Sequence, residues 1–135
     1  DIIVGFPGET EAMFAEGLAF VERMNFARMH VFPYSRREGT PAARMAGQLP
    51  EAVKKERVHR MEALAERKAA EFHASFIGRT AQVLFETQQD GIWNGLTGNY
   101  IRVYTDAPGQ NGELYTLELT RLYKDGLWGE LAACK

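Results

Sequence analysis

At Gly78 the spacing of apolar residues changes from one regime to another, and any fold for this chain has to accommodate both. Before it, Val58, Met61, Ala65, Ala69, Phe72 and Phe76 step by three or four, the period of one face of an α-helix. After it the period is two. Residues 80–86, 92–96, 100–105, 114–123 and 127–131 each read as a strand. Gly91, Gly98-Asn99, Pro108-Gly109, Asn111-Gly112 and Asp125-Gly126 separate them. Five short strands punctuated in this way predict a small all-β barrel, and the five-stranded OB-like barrel is its natural form. The helix begins at Pro50, tolerated in a first turn, and Gly78 reads as the glycine just past its end. Lys54, Lys55, Arg57, Arg60, Arg67 and Lys68 fall off the apolar stripe and read as a solvated face.

The first fifty residues carry a different pattern. Residues 1–6 form a continuous apolar run closed by Pro7-Gly8, as in a strand buried on both faces. Thr10 can cap a following helix, with Glu11 favourably placed in its first turn. Phe14, Leu18, Val21 and Met24 mark the buried face of that helix, and Asn25 suits a left-handed cap at its end. Residues 28–34 read as a second strand, which makes a parallel βαβ unit with a right-handed crossover. A loop, 35–49, leads to the long helix. Two parallel strands cannot close a barrel or cover their own edges. The opening at Asp1, without Met, therefore reads as a strand whose preceding sequence is missing. The edges of such a piece are expected to be exposed and to pair with a second copy or order poorly, with the barrel the better-formed half.

Composition excludes several classes. At 135 residues, 45% hydrophobic, 25% charged and net charge −2, the chain is an ordinary globular one with no global pull toward nucleic acid or membrane. No apolar run reaches the roughly 18 residues of a membrane span. The one cysteine, Cys134, rules out a disulfide framework and a cysteine-ligated metal site within the chain. It fits a reducing compartment. His30, His59 and His73 lack metal-ligand spacing. His30 reads as a histidine of the core, or one that supports a ligand from behind, on its strand, and His73 as structural.

In a parallel sheet, ligands bind beyond the carboxyl ends of the strands. Two loops fall there. Gly5-Phe6-Pro7-Gly8-Glu9-Thr10 leads into a helix N-terminus, and is either a ligand seat or an ordinary tight turn. Residues 33–40 add Tyr34, Ser35, Arg36 and Arg37; the arginines suit phosphate or carboxylate, or simply face water. In the barrel, Trp93, Tyr100, Tyr104, Tyr115, Tyr123 and Trp128 lie among Arg79, Arg102, Arg121 and Lys124. Aromatics interleaved with bases hold single-stranded RNA on such barrels, or else they are core. Residues 77–135 carry five bases (Arg79, Arg102, Arg121, Lys124, Lys135) against seven acids, opposite to the usual footprint.

Three stretches resemble one family. The run DIIVGFPGET (1–10) is similar to a late strand and loop of the radical-SAM barrel of methylthiotransferases. The run HVFPYSRREGTPAARM (30–45) resembles the next strand and loop. It is closest to the branch that methylthiolates threonylcarbamoyladenosine in tRNA, through Tyr34, Ser35, Arg37, Gly39, Thr40, Pro41 and Ala42. Residues 77–135 resemble the TRAM domain, an RNA-binding β-barrel, through residues 99–103 and 125–131.

The resemblance implies an α/β fragment, the βαβ part of a radical-SAM, TIM-like barrel plus a long helix, followed by an all-β OB-like TRAM barrel. The implied divisions are 1–49 for the barrel part, 50–76 for the connecting helix and 77–135 for TRAM. It implies a cytoplasmic transferase using S-adenosylmethionine and two 4Fe-4S clusters, one on a CxxxCxxC loop, to insert a methylthio group at an unreactive adenine carbon by radical chemistry. Gly5, Phe6, Pro7, Gly8 and Glu9 match the S-adenosylmethionine side of the barrel mouth. Tyr34, Ser35 and Arg37 match a rim loop facing cofactor or substrate, and Asn99, Tyr100 and Arg102 the strand facing tRNA. No catalytic residue and no cluster ligand is implied within this chain, so the piece is expected to be inactive alone. Arg36 and Glu38 replace two prolines common in the family's loop. Two alternatives remain: a stand-alone RNA-binding module, and the related enzyme that methylthiolates an aspartate of a ribosomal protein.

Overall fold

The computed structural model describes residues 1–133, so Cys134 lies outside the described residues. The chain divides into two compact units, residues 1–69 and 70–135. In the first, β1 (Ile2–Val4) pairs in parallel with β2 (Val31–Pro33), Ile2 facing Val31 and Val4 facing Pro33. Between them runs α1 (Glu11–Arg23), capped by Thr10, whose side chain accepts a hydrogen bond from the Met13 N–H. A 3-10 turn at Ala42–Arg44 precedes α2 (Glu51–Ala74). The core of this unit is Val4, Phe14, Val21, Met61 and Leu64.

Several expectations give way here. Both strands are half the predicted length, because regular parallel pairing extends over only three residues. They are also covered on one face only: Val4 is buried, while Ile3 is 60% exposed and Phe32 49%. His30 lies outside β2 with its side chain exposed and Nδ1 3.1 Å from Asp1 Oδ1, so it is not a core histidine. The helix cap is Met24 in an extended conformation, not a left-handed Asn25.

The largest correction concerns α2. Lys54, Arg57 and Lys68 are buried, each 8% exposed or less. Their charged ends find carbonyl partners: Lys54 Nζ donates to Tyr34 O, Arg57 Nη1 to Glu9 O and Lys68 Nζ to Glu22 O. Long basic side chains can lie along apolar surface and still satisfy their ends. Lys55, Arg60 and Arg67 are not buried and fit the solvated reading.

In the second unit five strands form a ring: β3 (Thr80–Gln89), β4 (Ile92–Thr97), β5 (Arg102–Thr105), β7 (Gly126–Leu131) and β6 (Leu114–Tyr123), with β6 pairing back onto β3. All neighbours are antiparallel except β5 and β7. Alternation sends Val83, Phe85, Trp93, Ile101, Val103, Leu117, Leu119 and Leu127 inward, with Phe72 and Phe76 packed against them. Gly78 has φ +89°, as predicted for a residue past a helix end, but its N–H bonds Leu119 O in β6 and makes no helix cap. The β6–β7 turn is Lys124-Asp125, not Asp125-Gly126. Gly126 already belongs to β7, where an added Cβ would stand 1.9 Å from Arg102 O. Asp90-Gly91 make the β3–β4 turn, both with positive φ, as a two-residue hairpin favours.

Gly95 is the tightest point of the β3–β4 pair, since a Cβ there would lie 2.0 Å from Leu84 O. Gly95→Ala is expected to destabilise the barrel by about 3 kcal/mol. Gly98→Ala, which meets open space, is expected to be nearly neutral. Both tryptophans lie in the barrel, so urea unfolding followed by tryptophan fluorescence reads this difference directly.

Candidate functional site

The first unit brings its two rim loops together. Gly8 N–H donates to Gly47 O at 2.9 Å, and a Cβ on Gly47 would stand 3.1 Å from Gly8 N. Phe6 meets Tyr34 edge-on with ring centroids 5.4 Å apart. Tyr34 N–H donates to Val4 O, continuing the β1–β2 ladder into the loop. The Tyr34 hydroxyl is buried with no hydrogen-bond partner, and the Lys54 ammonium lies 5.8 Å from its ring centre. Ser35 and Arg37 are exposed; the Arg37 carbonyl accepts from Thr40 Oγ1 at 2.7 Å and thereby shapes the turn.

The glycine-rich loop is closed on itself. Glu9 Oε1 accepts from Gly5 N–H (3.1 Å) and from Arg57 Nη1 (2.8 Å), and Glu9 N–H donates to Phe6 O. The Gly5 N–H is thus satisfied by an acid of the loop itself, while the first turn of α1 is capped by Thr10. Gly5 (φ +78°) is required for a second reason. A Cβ there would stand 2.4 Å from Lys54 Cγ, so the space freed by this glycine takes the lysine stem and not a ligand. Phe6 (43% exposed) and Gly8 form the outer surface of the loop, while Pro7 between them is buried and Tyr34 packs on Phe6. Sequence reasoning missed Lys54 and Arg57. Their signal is a basic residue at i and i+3 on a helix, which does not separate this use from a solvated face.

In the second unit the predicted RNA residues are split. Asn99 and Tyr100 belong to the turn before β5, not to a strand. Thr97 holds that turn, donating through Oγ1 to Asn99 Oδ1 at 2.6 Å and accepting from Ile101 N–H. Tyr100 is 79% exposed with φ +63°, a strained conformation for an aromatic residue. Arg102 starts β5 and donates to Glu86 Oε2 (2.8 Å) and Asn94 Oδ1 (2.9 Å), so its charge is already matched. Five of the aromatic and basic residues that the sequence interleaves do come together as a ladder. Tyr104 packs on Tyr123 (5.1 Å) and Tyr123 on Trp128 (5.0 Å), while Arg121 lies over Tyr123 and Trp128 and Lys124 over Tyr104 and Tyr123. Tyr104 donates to Asp125 Oδ1 at 2.6 Å. Desolvation and this bond to a carboxylate push its phenol up to about 12. Among the described residues no group of His, Cys, Asp and Glu could hold a metal ion, and no helix is long and apolar enough to cross a membrane.

Two outcomes test this geometry. Arg57→Met leaves Glu9 without its cation and is expected to cost the first unit about 3 kcal/mol, as breaking a buried pair does. Far-UV circular dichroism in urea should lose helix signal earlier, while tryptophan fluorescence, confined to the barrel, keeps its midpoint. For Tyr104, a raised folded-state pKa means the native protein holds the proton more tightly. Its contribution to stability is full below pH ~10. It is lost as pH rises toward about 12. Tyrosinate absorbance should show the last ionisation near there, and Tyr104→Phe should remove that step.

No family model matches the chain. It is similar to curated proteins along nearly all of its length. With the threonylcarbamoyladenosine tRNA methylthiotransferase MtaB of Bacillus subtilis it shares 44% identity over 108 residues, 76% of this chain and 24% of that protein. With the tRNA-2-methylthio-N(6)-dimethylallyladenosine synthase of Erythrobacter litoralis it shares 41% over 133 residues, 97% and 30%. With the ribosomal protein uS12 methylthiotransferase RimO of Anaeromyxobacter it shares 38% over 141 residues, 98% and 30%. The chain thus spans less than a third of the curated relatives it matches, and these homologues are methylthiotransferases of tRNA and of a ribosomal protein.

Proposed function

We propose that the chain is the C-terminal part of a cytoplasmic radical-SAM methylthiotransferase that modifies threonylcarbamoyladenosine next to the anticodon of tRNA. The observation that carries this reading is identity near 40% to methylthiotransferases across 97–98% of the chain. The loop Tyr34-Ser35-x-Arg37-x-Gly39-Thr40-Pro41-Ala42 supports the threonylcarbamoyladenosine branch. In this reading residues 1–49 belong to the radical-SAM barrel. The ring order β3-β4-β5-β7-β6 supports an OB-like TRAM barrel for residues 77–135. The apolar surface of Ile3, Met13, Phe20 and Phe26 is where an isolated piece would self-associate.

S-adenosylmethionine and two 4Fe-4S clusters, when bound to the whole enzyme, supply the radical and sulfur chemistry. The residues here fit one side of the S-adenosylmethionine seat. The unpartnered Tyr34 hydroxyl is a donor awaiting an acceptor, and the exposed Phe6 edge offers it an apolar wall. Gly5, Pro7, Gly8 and Glu9 hold the shape of that loop. Ser35 and Arg37, both exposed, face substrate. Asn99 sets the turn that presents Tyr100 to tRNA, and Arg102 steadies the neighbouring strand.

A second reading, methylthiolation of an aspartate in ribosomal protein, is favoured by 38% identity to the uS12 enzyme over 98% of the chain. A third, a stand-alone RNA-binding module, is favoured by the barrel's separate core. A chimera decides among them. This chain replaces the corresponding segment of the Bacillus subtilis enzyme, and tRNA nucleosides and ribosomal protein are analysed by mass spectrometry. Methylthiolated threonylcarbamoyladenosine is expected. Modified dimethylallyladenosine or ribosomal protein would reassign the branch, and a folded, cluster-loaded chimera without any product would sink the enzymatic reading.

A further inference from the structure

Two turns of the barrel flank a shallow cleft of about 150 Å³ on its outer face. Gln89 and Asp90 of the β3–β4 turn form one lip, Lys124 of the β6–β7 turn the other, and Asn94 and Tyr104 the floor between. The volume is below that of drug-sized pockets, which begin near ~300 Å³, and suits one small planar group.

Three features suit the cleft to a ligand. The Tyr104 ring is fixed from two sides, by its hydroxyl on Asp125 and by Tyr123 packed at 5.1 Å. A ring held in this way loses little freedom when a base stacks on it. The Asn94 side chain is likewise fixed, donating to Thr87 Oγ1 and accepting from Arg102. Finally, Lys124 occupies the first position of a two-residue turn at φ +47°, where glycine sits freely and a lysine is strained. Its ammonium lies over the rings of Tyr104 and Tyr123, 5.4 and 5.6 Å from their centres, and makes no ion pair among the described residues. Local strain that brings an unpaired cation to an aromatic surface marks a functional position.

We propose that this cleft seats one unpaired base of an RNA, stacked on Tyr104, with Lys124 on the adjoining phosphate. The inference rests on the RNA-modifying reading above and locates where on the barrel the RNA is held. It also accounts for an RNA-binding barrel with acidic balance. One cation and a stacking platform serve a single extruded nucleotide, where a long phosphate track would need a basic groove.

The test uses the whole chain and a fluorescein-labelled RNA hairpin with an unpaired loop, read by fluorescence anisotropy. Tyr104→Leu is expected to weaken binding about tenfold, the cost of one base–ring stack. Tyr104→Phe, which keeps the ring, should retain most of it. Lys124→Gly separates function from folding: it relieves the strained turn and should raise Tm while weakening binding several-fold. Glu118→Gln, exposed on β6, should bind as the parent does. If the parent chain fails to bind the hairpin, the RNA-binding reading falls and this site with it. If the parent binds and Tyr104→Leu and Lys124→Gly bind equally well, the RNA-binding reading stands and the cleft is the wrong place.

Discussion

The bond between Arg57 and Glu9 sets the form of the first unit. Glu9 turns back to accept from Gly5 N–H, and only a cation held against it makes that burial affordable. Arg57 supplies the cation from α2, forty-eight residues on, and donates as well to the Glu9 carbonyl. The guanidinium lies over the Phe14 ring, so the same side chain ties the loop, α1 and α2 together. Lys54, one turn earlier, repeats the arrangement on the other loop by donating to Tyr34 O while its stem fills the space left by Gly5. A buried pair of this kind adds little net stability over apolar packing, yet losing one partner is costly. Its contribution here is to fix the first loop against α2, as Lys54 fixes the second.

The barrel solves its packing by other means. Closing five strands into a ring leaves no free edge, and close approach at Gly95 and Gly126 lets the strands curve. Inward positions carry the barrel core, while Leu84, Leu114, Leu122 and Leu131 stay exposed. Outside that core, Tyr104, Tyr123 and Trp128 pack on one another, and Asn94, Arg102 and Tyr104 are held by hydrogen bonds.

How much of this was legible in the sequence follows the same division. The change of period at Gly78 marked where helix gives way to strands, although the two compact units divide between residues 69 and 70, within α2, and the alternation in residues 114–123 placed β6 at its observed bounds, Leu114–Tyr123. Periodicity is a local signal, and local signals sufficed there. It failed where a side chain answers to something distant. Lys54, Arg57 and Lys68 read as solvated because their carbonyl partners lie 20, 48 and 46 residues away. Tyr100 read as strand because aromatic residues favour strands, yet the Thr97 bonds hold it in a turn. Asp125-Gly126 read as a turn because that dipeptide favours one, but the approach of Arg102 O claims the glycine for β7. The site residues were legible as loops and not as roles, since Glu9 and Gly5 serve the loop itself.

That last point bears on how one chain type serves enzymes of different substrates. Relatives named for two tRNA nucleosides and for a ribosomal protein differ by only a few per cent in identity to this chain. The features described above suit such sharing. The Glu9–Arg57 and Lys54–Tyr34 bonds shape a scaffold, and the proposed stacking platform would accept any base, since every base has a π-face. On the proposed function, discrimination would fall to the exposed side chains of the second rim loop, Ser35 and Arg37. They protrude from a turn that Thr40 and Gly39 hold independently of them, so they can change without disturbing the fold.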